Sequence, residues 1–189
     1  LIDAKQIAQL PLGDGTAYML TRLAPGIMDS SDLHFARPMD NGNLGGIVTY
    51  DWGWVKLVQA HHPSTVPGSA DRPYSPTSGT VIGAACGVVV NIGGKTLYHL
   101  GDTALFSDLK LIAERTPPDV AFIPIGGHYT MHREDAVFAA EFVGAETVIP
   151  VHYNTFPPIE TDAEAFKADV EKQTKSKVAV LAPGESLTL

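Results

Sequence analysis

Four places in the 189-residue chain put a metal-ligating or proton-transferring side chain just after a run that reads as a β-strand. His61 and His62 end WVKLVQA, Asp102 ends KTLYHL, His128 follows DVAFIPI and a glycine pair, and His152 ends TVIPV. A single histidine is more often a packed or surface residue than a ligand. Several at successive strand ends point to a shared site, because rigid elements aim side chains from their end loops into one cleft. The chemistry that uses such a set is metal-assisted hydrolysis. Zinc takes imidazole nitrogen and carboxylate oxygen, and a catalytic site leaves one position open for water. The metal lowers the pKa of that water toward ~7, and with two metals one carboxylate can bridge both. Asp102 is placed for the bridging role: Gly101 lets the backbone turn sharply, and Thr103 can hold the turn or cap the next helix. On this pattern alone a structural reading of Asp102 is equal, since Gly-Asp-Thr before a helix is also an N-cap sequence.

The elements that must position these residues begin at Gly46. GIVTY and WVKLVQA read as strands split by the turn-like Asp51-Trp52-Gly53, and CGVVVNI and KTLYHL as a hairpin across Gly93-Gly94. Leu105, Leu109 and Ile112 then recur at helical spacing, predicting a helix over 104–115 that Pro117-Pro118 stops. DVAFIPI suits a buried strand, residues 133–143 a helix, and TVIPV the next strand. Thr161-Asp162-Ala163-Glu164 resembles a capping box opening a helix through Gln173, and KVAVL and ESLTL suggest a closing hairpin across Pro183-Gly184. Hairpins followed by alternating strands and helices predict a mixed α/β sandwich. Residues 1–45 form an irregular N-terminal segment with one short helix expected around 15–23, and the core runs over 46–189. Residues 63–80, rich in Pro, Ser, Thr and Gly, read as a solvated loop, and their place after His61-His62 suits a lid over a site.

Bulk composition narrows the function. With 44% hydrophobic and 18% charged residues, the chain has the composition of a folded domain. A formal net charge of −8 argues against a nucleic-acid partner. The one cysteine, Cys86, excludes an internal disulfide framework and a Cys-rich zinc module, and reads as a small buried residue. Any metal site is therefore built from histidine and carboxylate. No apolar run reaches the ~18 residues of a membrane span, and no signal segment opens the chain, so a cytoplasmic protein without a membrane partner is expected. The chain starts at Leu1 rather than Met.

The ordered segments VQAHHPS, GKTLYHLGDTALFSDLKLI, PDVAFIPIGGHYTM, EDAVFAAEF and ETVIPVHYNTFPPIETDAEAF closely resemble the metal-dependent hydrolases of the metallo-β-lactamase superfamily related to ascorbate-phosphate lactonases. The resemblance covers roughly Gly45 to Leu189. It implies an αββα sandwich and a dinuclear metal site acting on an ester, lactone or phosphoester. At matching positions His62 corresponds to a ligand of the first metal, Asp102 to the bridging aspartate and His152 to a ligand of the second metal. His128 is similar to a pocket residue that contacts substrate or transfers a proton. His61 stands where the family more often has an aromatic residue, and His99 is expected to pack or to support Asp102. His34 and His132 are expected at the surface.

The family's first motif, HxHxDH, is absent. LGD at 12–14 is similar to the LGD that follows it, yet residues 6–11 (Gln6, Ile7, Ala8, Gln9, Leu10, Pro11) offer no strong ligand. With Asp102 bridging, His62 and His152 leave each metal two protein ligands where a catalytic zinc takes three. Part of the N-terminal half of the fold is therefore expected to be missing. Three explanations follow: a truncated copy of an active enzyme, which is preferred; a degenerate form that kept the fold as a binding or interaction protein; or a second chain that supplies the missing half. The expected cofactor is a divalent metal, zinc first, with manganese, nickel and iron accepted by the same donors. The expected partners are a small-molecule substrate and a second copy or a complementing chain. A metal-free Ser-His-Asp mechanism lacks its G-x-S-x-G elbow.

Overall fold

A computed structural model describes residues 44–63, 65–66, 80–81 and 84–189. The chain divides into two compact units, Leu1–Asn43 and Leu44–Leu189, and every described residue lies in the second. The expected helix at 15–23, the LGD at 12–14 and His34 lie outside the described residues.

Seven strands form one sheet: β1 (Ile47–Tyr50), β2 (Gly53–Gln59), β5 (Cys86–Ile92), β6 (Lys95–His99), β7 (Val120–Pro124), β8 (Thr147–Val151) and β9 (Lys177–Val178), in spatial order β1-β2-β5-β6-β7-β8-β9. β1, β2, β5 and β6 pair antiparallel, while β6, β7, β8 and β9 pair parallel. This is the expected α/β order, with hairpins first and crossovers after. The alternating CGVVVNI run buries Gly87 and Val89 toward the core, whereas the continuous apolar run of β7 buries every residue but Phe122. Two further strands, β3 (Thr65–Val66) and β4 (Thr80–Val81), pair with each other as a separate antiparallel ribbon. They close the base of the loop expected at 63–80, most of which lies outside the described residues.

Three helices join the parallel strands: α1 (Asp108–Arg115), α2 (Arg133–Val143) and α3 (Ala163–Gln173). Ala136, Ala139 and Ala140 are fully buried in the same core cluster as Phe166 and Val170 of α3 and Val89, Tyr98, Ile123 and Val148 of the sheet. Small alanine side chains on α2 permit this close approach, and burying Phe166 alone contributes roughly 1.5–3 kcal/mol. Burial without a partner for its hydroxyl raises the pKa of Tyr98.

Asp119 fastens the junction of the two pairing modes. Its carboxylate accepts the Thr96 N–H at 2.7 Å and lies 3.5 Å from Lys95 Nζ, while its backbone bonds both Thr96 and Thr147. The Thr96 hydrogen bond, helped by Lys95, holds its carboxyl below the usual carboxylate range.

The structure corrects three boundaries. The helix expected from residue 104 starts at Asp108, because residues 103 and 104 are bonded across to another loop instead of winding. In the expected capping box, Asp162 rather than Thr161 is the cap: Asp162 Oδ1 accepts the Ala165 N–H at 2.9 Å, and Thr161 Oγ1 donates to the Ile125 carbonyl at 3.1 Å. The expected C-terminal hairpin is not formed. Only Lys177–Val178 is a strand, it pairs parallel with β8, and residues 185–189 join no sheet. A parallel sheet edge was available to KV, and it outcompeted a local hairpin.

Candidate metal centre

β2 runs antiparallel to β5, and β5 antiparallel to β6, so β2 points the same way as β6, β7 and β8. The loops carrying His61-His62, Asp102, His128 and His152 therefore all leave one edge of the sheet. The first two loops are tied directly. The His61 N–H donates to Thr103 Oγ1 at 2.9 Å, Thr103 Oγ1 donates to the Ala104 carbonyl at 2.9 Å, and the Ala104 N–H donates to the His61 carbonyl at 3.0 Å. Thr103 is fully buried. The sequence marked Thr103 as a turn holder, but its partnership with His61 across 42 positions has no sequence signal.

Gly101 explains why the Asp102 loop can lie this close. Its φ is +74°, and a Cβ there would stand 2.5 Å from the Cys86 carbonyl oxygen. Asp102 itself precedes α1 by several residues, with Ser107 at the cap position, so the N-cap alternative is removed. Its carboxylate Oδ2 lies 3.6 Å from His152 Nε2. The two side chains are 48% and 30% exposed, accessible to a small ligand. The other ring nitrogen of His152, Nδ1, is buried without a hydrogen-bond partner.

His152 and Asn154 have φ of 55° and 57°, and His128 has 26°. Left-handed backbone at a non-glycine residue costs on the order of 1–3 kcal/mol, and such residues gather at functional sites. Gly126 lets the β7 and β8 loops touch: a Cβ there would lie 2.2 Å from the His152 carbonyl oxygen and 2.9 Å from Ile159 Cβ. Beyond His152, a cleft of about 880 Å³ opens between the end of β8 and residues 180–185.

The remaining histidines are placed as follows. His62 Nδ1 lies 2.9 Å from the Pro63 carbonyl, and among the described residues it does not complete a three-donor group with Asp102 and His152. His61 is exposed and stacks on Phe106 with centroids 4.3 Å apart. His99 accepts the Gly101 N–H at Nδ1, 3.0 Å, and stacks on Phe122, so it braces the turn that carries Asp102. Packing of the His99 ring lowers its pKa, and the Asp102 charge partly offsets this. His128 is exposed and meets the Tyr129 ring edge-on. His132 is at the surface, paired with Glu134. Cys86, expected buried, is half-buried, with its thiol pushed up by that burial.

Among the described residues no group of three or more His, Cys, Asp or Glu could hold a metal ion. Asp102 and His152 are donors of the right kinds, and they fall one short of the three a catalytic zinc takes. No helix among the described residues is long and apolar enough to cross a membrane.

The Beta-lactamase superfamily domain model matches residues 13–153. The chain is 43% identical over 154 residues to a UPF0173 metal-dependent hydrolase of Natranaerobius thermophilus, covering 82% of this chain and 62% of that protein. It is 40% identical over 186 residues to the one from Staphylococcus carnosus, covering 98% and 75%. Among solved structures, a metallo hydrolase from the archaeon Ignicoccus hospitalis is 38% identical with a TM-score of 0.64, covering 77% of this chain and 58% of that one. The chain spans about two thirds of the length of several curated relatives it matches. The family model covers most of the chain and the identity to the Staphylococcus carnosus protein runs over nearly all of it, so the chain belongs to the metallo-β-lactamase superfamily, in the family of the UPF0173 metal-dependent hydrolases.

Proposed function

We propose that the chain belongs to a metal-dependent hydrolase that cleaves a small-molecule ester, lactone or phosphoester. The observation that carries this reading is the Asp102–His152 pair, two metal donors 3.6 Å apart at the edge where four strand-end loops gather. His62 joins the donor set through its loop, which Thr103 ties to that of Asp102. The rest comes from outside the described residues or from a complementing chain. His128 serves as a substrate or proton-transfer contact, and His99 positions Asp102 through Gly101. Zinc suits these donors first, and manganese, nickel and iron accept them too. A second reading, a degenerate binding protein on the same fold, is favoured by the two-donor count among the described residues.

Metal content of the purified full chain, with and without added zinc or manganese, separates the two. The hydrolase reading expects bound metal whose affinity falls more than ~10-fold in Asp102→Ala and in His152→Ala, with hydrolysis falling alongside. A chain that takes up no metal, with any activity indifferent to Asp102→Ala, sinks that reading.

A further inference from the structure

Two exposed aromatic rings stand on the loops that carry His128 and His152. Tyr129 is 51% and Phe156 41% exposed, with ring centroids 6.0 Å apart. His128 meets Tyr129 at 4.4 Å, edge to face. The loops that display them are stiff. Around Tyr129, the Gly127 N–H donates to Met131 O and the Thr130 N–H to Gly127 O. Around Phe156, the Asn154 N–H donates to Ile159 O, and Asn154 Oδ1 accepts the Thr161 N–H. The two loops abut where Gly126 leaves no room against the His152 carbonyl. All three left-handed non-glycine residues of the described chain, His128, His152 and Asn154, lie in these two loops. Strained, hydrogen-bonded loops that hold large rings in water beside a candidate catalytic pair mark those rings as a binding surface.

We propose that Tyr129, Phe156 and the edge of His128 form the subsite that grips a flat aromatic group of the substrate. The proposal rests on the hydrolase reading for what the bound molecule is, and on the ring geometry for where it binds. At 6.0 Å the two rings touch each other and present one continuous aromatic face, on which a flat aromatic group can lie by offset or edge-to-face contact. Neither loop, 126–132 nor 152–161, contains a lysine or arginine, so neither offers a phosphate group a cation that is charged at every working pH. Within the proposed ester, lactone and phosphoester classes, this favours an aryl ester or aryl lactone.

The test uses the full chain with 2-naphthol as an uncleavable probe, followed by NMR of the tyrosine and phenylalanine rings. Hydrolysis of 2-naphthyl acetate and of ethyl acetate is measured in parallel. Tyr129→Ala with Phe156→Ala weakens 2-naphthol roughly 10-fold, while Asp102→Asn leaves it within about twofold. The same double variant raises KM for 2-naphthyl acetate by a larger factor than KM for ethyl acetate. The aromatic exchange Tyr129→Phe with Phe156→Tyr retains binding, which separates ring contact from a folding defect. Failure of the wild type to bind 2-naphthol, or undiminished binding by the double alanine variant, overturns the subsite. So does a double variant whose only change is in self-association. Ring-dependent 2-naphthol binding in a chain that holds no metal and cleaves no ester keeps the subsite and overturns the hydrolase reading.

Discussion

Replacing Gly126 with alanine tests how tightly the β7 and β8 loops are packed. The backbone of Gly126 is not left-handed, so alanine meets no conformational penalty there, and the effect is steric. The new methyl would stand 2.2 Å from the His152 carbonyl oxygen, where real Cβ contacts essentially never fall under 3.0 Å, so the two must part by about 0.8 Å. Ile159 Cβ at 2.9 Å blocks escape on the other side. Both obstacles belong to ordered backbone or to a buried side chain, and neither is the free end of a flexible group. Overpacking of this sort costs roughly 1–3 kcal/mol. The shift also moves His152 relative to Asp102, and on the proposed hydrolase reading a ~1 Å misplacement there would cost up to ~100-fold in rate. Urea denaturation should show the midpoint falling with the slope unchanged. Metal titration should show weaker binding at the Asp102–His152 edge. An alanine variant within ~0.5 kcal/mol of wild type, with undiminished metal affinity, would refute the argument that this glycine sets the position of His152.

Thr103→Val keeps the shape of the buried side chain and removes the acceptor for the His61 N–H. It should cost ~1–3 kcal/mol and speed hydrogen exchange at the His61 amide, and an unchanged exchange rate would show that the two loops are not tied there. Asp119→Asn should cost about 1 kcal/mol at neutral pH, a modest figure because the side chain is a third exposed and water screens it. The folded carboxyl titrates below its unfolded value, so its contribution is present above ~pH 4 and is lost as pH falls through the lowered native pKa. Stability of the variant should therefore vary less with pH across that acid window than wild type, as read from denaturation midpoints between about pH 2 and 6.

Period and punctuation in the sequence determined most of the elements. The alternating CGVVVNI and KTLYHL around Gly93-Gly94 can bury one face only as a hairpin, and TVIPV between two helical patterns can only be a crossover strand. The ordered motifs likewise singled out Asp102 and His152 as candidates, and the structure brings their side chains together. Long-range competition decided the rest. Residues 103 and 104 gave up a helical turn for bonds to His61, and KV left a local hairpin for the edge of β8. The N-cap reading of Asp102 was equally good locally, and only the loop-to-loop bonds rejected it. Tyr129 and Phe156 are 27 positions apart in the chain, and their meeting depends on β7 and β8 being parallel neighbours. Local rules act over a few residues, so the sequence alone could specify each candidate side chain and the strand beneath it. Which donors share an edge, and how many meet there, was decided by strand order and register.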